Sequence, residues 1–484
     1  MRSRYRADGY RLKVFSRRRW GAAAVAAAAL LLAPVAARAD GPVASHAMVH
    51  TCCLPYEMKE RIFAESKALG ASYIRVSFEL GAIFDGEGKP PDWTRVDEVL
   101  ELARRHDLRV LGIVLDTPAH LSPCSHLLPP DRGRCTPTDL QQYARLTGEL
   151  AAHARGTVSH WEILNEPDGE WAFFGSAQDY ARILSMSFDA IKARVPEARV
   201  VMGGVMTPWN SDWVDQVFAT PGADAARKFD IASMHIRGPA EGLPRGLERW
   251  RAAMARHGFS GPIWVTEHGY SADPVYQSDP RHKGGEAEQA AYLERSLLFL
   301  AEAGAEQIFV TLRDEDYAPD WAAEGLTHID EEEPYESRRR PAFDAVRRFA
   351  ERWPSIVEWR ALQRAHKRQS EVAGALAGRA EVYVQALARM RTQAVAAMRS
   401  ERARLRRASA AATRCRRRRT CSARASRRLS RLVSRRSVRL RHLRLAVRGI
   451  DEQLRARRRE AAAYRRDELA NYLQAVDYGL RIGG

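Results

Sequence analysis

Between residues 43 and 350, short runs rich in Val and Ile alternate with longer stretches in which apolar residues return every three or four positions. Short apolar runs with β-branched residues read as strands, and the longer period reads as amphipathic helix. The strand candidates are SHAMVH (45–50), SYIRVSF (72–78), RVLGIVL (109–115), VSHWEIL (158–164), RVVMGGV (199–205), FDIASMH (229–235), PIWVTE (262–267) and QIFVTL (307–312). Among the intervening helices, WTRVDEVLELARRHD (93–107) places Val96, Val99, Leu100 and Ala103 on one face, and EAEQAAYLERSLLFLAEAG (286–304) has the same character. Eight strand–helix units predict an α/β protein with a (β/α)8 or TIM barrel, a fold of ~250 residues plus insertions. An open doubly wound sheet would need a Gly-rich phosphate loop after the first strand, and SHAMVH is followed by none.

Past Pro354 the periodicity changes. The chain holds no further proline and is dominated by Ala and Arg. One helical pattern runs over 355–408 and a second over 424–480. In the second, Val433, Leu440, Val447, Leu454 and Ala461 recur every seventh position, with Leu443, Ile450 and Tyr464 between them, as a packed helix seam requires. Residues 409–423 then form the bend of an Arg-rich helical hairpin or coiled coil.

Charge sharpens these boundaries. The formal net charge of +17 divides into +8 over 1–39, −15 over 40–354 and +24 over 355–484. The first segment has the form of a signal peptide: Arg17, Arg18 and Arg19, then the apolar run GAAAVAAAALLLAPVA, then ARA ending at Ala39. SRRRW also fits a twin-arginine signal. The expected organisation is a signal peptide over 1–39, a barrel over 40–354 and a basic helical tail over 355–484, in a secreted, cell-surface or periplasmic protein. Export permits disulfides. Of the six cysteines, Cys124 with Cys135 and Cys415 with Cys421 would each close a short loop; Cys52 and Cys53 are adjacent and stay unassigned. No paired C-x-x-C is present, and the sequence calls for neither metal nor cofactor.

In a β/α barrel the reactive groups stand at the C-terminal ends of the strands. Glu166 follows the fourth strand candidate and Glu267 ends the seventh. Two carboxyl groups across one pocket are what glycosidic hydrolysis requires, one to protonate the leaving oxygen and one to attack the anomeric carbon or activate water. Asn165 can hydrogen-bond a sugar hydroxyl. Trp171 and Trp209, in loops, are the better stacking platforms, whereas Trp161 and Trp264 lie within strands. Glu162 reads as a structural carboxylate inside the barrel.

NEP at 165–167 and TEHG at 266–269 resemble the clan-A retaining glycoside hydrolases, whose catalytic glutamates end strands four and seven. The resemblance covers 43–350 and none of the tail. It implies that Glu166 is the acid/base, Glu267 the nucleophile and Asn165 the contact to the hydroxyl beside the reacting carbon. It further implies that Arg75 supports the nucleophile and that His235, ending strand six, lies close to it. LRDED followed by EGLTHIDEEEPYESRRRPAFDAV resembles β-xylosidase-like and bacterial exopolysaccharide-hydrolase members. The tryptophan that many members carry at the end of strand eight is missing; Thr311, Arg313 and Asp314 stand there.

The expected function is retaining hydrolysis of β-glycosidic bonds in an extracellular polysaccharide or oligosaccharide. A glycan-binding or cell-surface scaffold protein anchored through its tail is the alternative. Clustered Arg suits an anionic cell-wall polymer, an acidic polysaccharide or a membrane surface. An exported chain disfavours nucleic acid, and the heptads leave the oligomeric state open.

Overall fold

The structure, a computed structural model, describes residues 41–206, 211–273, 284–314, 323–330, 332–417 and 421–483. Residues 1–39, expected to be a signal peptide, and Trp209 lie outside the described residues. The chain divides into two compact units, one ending at Pro354 and the other Ser355–Gly484.

In the first unit, β1 (Val43–His50), β2 (Tyr73–Glu79), β3 (Arg109–Leu115), β4 (Val158–Asn165), β5 (Arg199–Gly204), β6 (Ala232–His235), β7 (Ile263–His268) and β8 (Gln307–Thr311) form one eight-stranded parallel sheet. β1 pairs with both β2 and β8. Bridges Val201↔Ile231 and Val205↔Met234 join β5 to β6 and close the ring. Helices α1 (Tyr56–Ala68), α2 (Thr94–Arg105), α3 (Leu140–His153), α4 (Ala177–Arg194), α5 (Ser211–Phe218), α6 (Leu243–Arg256) and α7 (Glu286–Glu302) lie between consecutive strands. β6 begins three residues later than its apolar run predicts, because the Asp230 side chain accepts the Val200 N–H at 2.8 Å, a donor the ladder would otherwise use.

Side chains fill the ring in layers, as the period of two dictates. Towards the N-terminal ends, Ala44, Tyr73, Leu111, Val201, Ile231, Trp264 and Phe309 form a buried cluster. Trp161 is fully buried against Phe78, with ring centroids 5.3 Å apart, so both strand tryptophans are core. Two residues further along, the layer turns polar, with His46, Arg75, Ser233, Thr266 and Thr311 all buried. Glu162 joins this layer with no exposure; it takes Arg75 Nε at 2.7 Å, Gly204 N–H at 3.0 Å, Thr266 Oγ at 3.0 Å and Ser233 Oγ at 3.3 Å.

In the second unit, residues 355–417 of α8 (Pro341–Arg417) and α9 (Ala423–Gly483) run antiparallel. Ser370 Oγ donates to the Glu468 carbonyl at 3.0 Å, and Arg436 meets Glu401 at 3.0 Å. The seam buries Ala377, Ala380, Ala408, Ala412, Leu440, Leu454 and Ala461. Helix α8 runs through Pro354, where a missing N–H and a ring clash would end an isolated helix. Disulfides join Cys124 to Cys135 and Cys415 to Cys421, and the adjacent Cys52 and Cys53 are bonded to each other.

Because Glu162 neutralises a buried guanidinium and satisfies three further donors, Glu162→Ala should destabilise the barrel by about 3–5 kcal/mol in denaturant unfolding. A loss under about 1 kcal/mol would show that the polar layer does not depend on it.

Candidate active site

Four strand ends depart from regular β geometry, and each departure aims a side chain. Met48, Asp116, Leu164 and Glu166 have φ of 46°, 60°, 60° and 45°, a left-handed region that non-glycine residues rarely occupy. Such strain concentrates at functional sites. In β7 the register slips between Val265 and His268. This irregularity lets two successive residues, Thr266 and Glu267, both reach groups inside the ring, where strict alternation would turn one away.

A cavity of about 1010 Å³ opens at these ends, lined by His46, Arg75, Asn165, Glu166, His235 and Glu267 among others. Glu166 and Glu267 are 8% and 6% exposed. The Nδ1 of His235 lies 2.7 Å from Glu166 Oε1 and 3.4 Å from Glu267 Oε2. One oxygen from each carboxyl and this nitrogen all fall within 4.8 Å of one another. His235 Nε2 is buried without a partner, so the Nδ1–H tautomer places its proton between the two carboxylates. A Cβ at Gly204 would fall 2.1 Å from His235 Nε2; only glycine leaves room for the ring.

Arg75 reaches three of these groups at once. Its Nη1 donates to Glu267 Oε1 at 2.8 Å, its Nη2 to Asn165 Oδ1 at 2.6 Å and its Nε to Glu162. With Oδ1 so engaged, Asn165 keeps its NH2 for a ligand. Arg237 adds a second guanidinium, 3.5 Å from Glu267 Oε2, and is held by a two-pronged bond to Glu324 at 2.7 and 2.9 Å. Glu324 also accepts from Thr311 Oγ at 3.0 Å. Burial by itself would raise the Glu267 carboxyl, but His235, Arg75 and Arg237 together hold it well below the usual carboxylate range.

Burial pushes His46 down to about 3, so it is neutral at ordinary pH. Its 3.6 Å approach to Glu267 is therefore not an ion pair. Arg75 Nη1 lies 3.3 Å from His46 Nδ1, which leaves Nε2–H facing Glu267. Glu166, His235 and Glu267 have ligand-type atoms close enough to consider a metal. Glu267 is already engaged by two guanidiniums, and an ion would have to displace them. The second such group, His50, Cys52 and Glu79, has no thiolate to offer because Cys52 is in a disulfide.

Arg75, Asn165, Glu166, His235 and Glu267 thus converge, and Trp171, half exposed, lines the same cavity. His46, Arg237 and Glu324 were not singled out by sequence. His268, beside Glu267, points away and is bound to the Ile236 carbonyl and Ser296 Oγ at 2.9 and 2.8 Å. Asp314 is bound by Arg340 through two contacts of 2.7 Å, so it serves the fold at the end of β8.

No protein-family profile matches the chain, and no curated protein matches it. Among solved structures it is similar to a GH39 enzyme from Xanthomonas axonopodis pv. citri, with 19% identity over 64% of this chain and 65% of that one, at a TM-score of 0.50. It is also similar to a glucosidase from Croceicoccus marinus, with 14% identity over 64% of this chain and 67% of that one, again at 0.50. The match spans less than two thirds of the first of these proteins. At such identities the likeness is one of fold: the parallel barrel that the clan-A resemblance implies.

Asp116 lines the cavity and accepts the Gly81 N–H at 2.9 Å. Burial, assisted by Glu79 and opposed by the Gly81 and Leu80 N–H groups and by Arg132, lifts its carboxyl to about 7. Between its unfolded value of 3.8 and about 7 the folded protein binds the extra proton, so this group makes stability fall as pH rises through that window. Asp116→Asn should flatten that fall, measured as midpoint denaturation temperature against pH. An unchanged slope would show that Asp116 is ionised throughout.

Proposed function

We propose that the barrel is a retaining glycoside hydrolase that cleaves β-glycosidic bonds of an extracellular polysaccharide or oligosaccharide by double displacement. The observation that carries this reading is the pair Glu166 and Glu267, at the ends of β4 and β7. One oxygen of each carboxyl lies within 4.8 Å of an oxygen of the other across one cavity, and one carboxyl is held ionised. Retaining enzymes place the two carboxyl groups ~5–5.5 Å apart and inverting ones ~6.5–9.5 Å, to make room for a water. The glucosidase and GH39 names of proteins that share the fold support the same reading.

The two carboxyl groups take opposite parts. Glu267, kept anionic by Arg75 and Arg237, attacks the anomeric carbon as its bond to the leaving oxygen breaks. Glu166 gives that oxygen a proton. Water then enters where the leaving group stood; Glu166 takes its proton, and the new C–O bond releases Glu267. The Asn165 NH2, freed by the Arg75 contact to its carbonyl, is placed to bind the hydroxyl beside the reacting carbon. His235 Nδ1–H positions both carboxylates. Trp171 offers an exposed ring at the cavity rim for an apolar sugar face, and Trp209 is a second candidate platform by its sequence position. Export is part of the proposal, supported by the three disulfides, which persist in oxidising compartments.

With a 2-deoxy-2-fluoro β-glycoside bearing an activated leaving group, mass spectrometry of peptides should find the sugar on Glu267. Glu267→Ala should abolish turnover. Glu166→Ala should lower it by ~10²–10⁴ on substrates with poor leaving groups and far less on activated aryl glycosides. If both variants turn over as fast as the unmutated protein, the reading fails.

A further inference from the structure

Charge in the helical hairpin is concentrated at its bend. The Arg436–Glu401 contact at 3.0 Å fixes the register, so residues 399–417 of α8 and 423–438 of α9 lie nearest the bend. These two segments hold fourteen arginines and one acidic residue, Glu401. Every arginine there whose surroundings are described is exposed except Arg436. Glu401 is 3% exposed and meets Arg436 at 3.0 Å and Arg404 at 3.9 Å, so it neutralises little of the outer charge.

The packing brings this charge closer together. Here the seam buries Ala408 and Ala412, small side chains that let two helix axes approach. Thirteen net positive charges then share the length of residues 399–417 of α8, about 28 Å at ~1.5 Å per residue, or one charge every ~2 Å. That is well inside the ~7 Å at which two unit charges in water repel by about RT. Such a rod gathers small anions, and a polyanion that displaces them gains their release entropy.

Shape narrows the partner. On α8, Arg399, Arg402, Arg404 and Arg407 fan over roughly 200° of the helix, and Arg427, Arg431 and Arg435 form a separate row on α9. A flat lipid surface meets one side of a helix and is usually joined by apolar anchors. In this stretch the large apolar side chains that stand exposed are Leu432 and Val438, each 38%. A flexible chain can follow guanidiniums around the rod. We propose that the bend half of the hairpin is a docking surface for a flexible linear polyanion, an anionic polysaccharide. The choice of polysaccharide rests on the glycosidase reading; the polyanion surface itself does not.

The test uses the full-length protein and measures binding alone, by fluorescence anisotropy of labelled alginate over a series of NaCl concentrations. Neutral dextran, a short DNA duplex and phosphatidylglycerol vesicles serve as comparisons. Alginate should bind with a steep salt dependence, and dextran should not bind. The combined R402Q, R406Q, R407Q, R427Q, R431Q and R435Q variant should lose up to ~4 from the slope of log K against log salt, and at least ~100-fold in affinity at low salt. Gln and Arg have similar helix propensities, so helix content should hold. If it does not, R427Q, R431Q and R435Q alone should lower the slope by up to ~2. Alginate binding that is unchanged in the variants, or no tighter than dextran binding, overturns the surface. Tighter binding to duplex or vesicles overturns the polysaccharide assignment. A protein that binds alginate and hydrolyses no glycoside leaves the surface standing and refutes the glycosidase reading instead.

Discussion

The site depends on one buried cation placed among acceptors contributed by other strands. Arg75 is 1% exposed, and its guanidinium bonds Glu162 and Asn165 of β4 and Glu267 of β7. A charge so far from water is stable only when it is paired and hydrogen-bonded. Ring closure makes this possible, because it brings strands distant in sequence to face one another across the interior. Once Arg75 is fixed, the rest follows: Glu267 is held ionised, Asn165 is turned so that its amide donors are free, and Glu162 is tied to the backbone of β5 through Gly204.

A second, independent clamp approaches Glu267 from the opposite side. Arg237 stands two residues beyond His235 and is held by Glu324, which is braced in turn by Thr311 at the end of β8. A Cβ at Gly269 would fall 2.3 Å from Glu324 Cδ, so this close packing also relies on a glycine. The strand-eight end, where the sequence carries no tryptophan, takes part in this clamp: Thr311 supports the Glu324 carboxylate that holds Arg237.

The barrel was legible because its strands are nearly continuous apolar runs and its helices carry the longer period. The paired glutamates were legible because strand ends map to one face of the fold. Residues that act through long-range contact were not. Glu324 comes from a segment after β8 with no periodic signal, and nothing local marks it as a partner of Arg237. Asp116 and Glu166 owe their aim to left-handed backbone, which a sequence of non-glycine residues does not announce. His46 reads as an ordinary inward strand residue until ring closure sets it beside Arg75. In the tail, the seven-residue seam was plain, but the helix continues through Pro354, where local rules set a boundary.

The central claim is that His235 and the flanking guanidiniums keep Glu267 anionic although it is buried. The most direct measurement is the pH titration of its side-chain carboxyl carbon by NMR, assigned by comparison with Glu267→Gln, in the unmutated protein and in Arg75→Met. The account predicts no titration in the unmutated protein down to the lowest pH at which it stays folded. In Arg75→Met the resonance should move into or above the ordinary glutamate range near ~4.3. An unmutated Glu267 that titrates at that ordinary value, or one that does not respond to loss of Arg75, would contradict it.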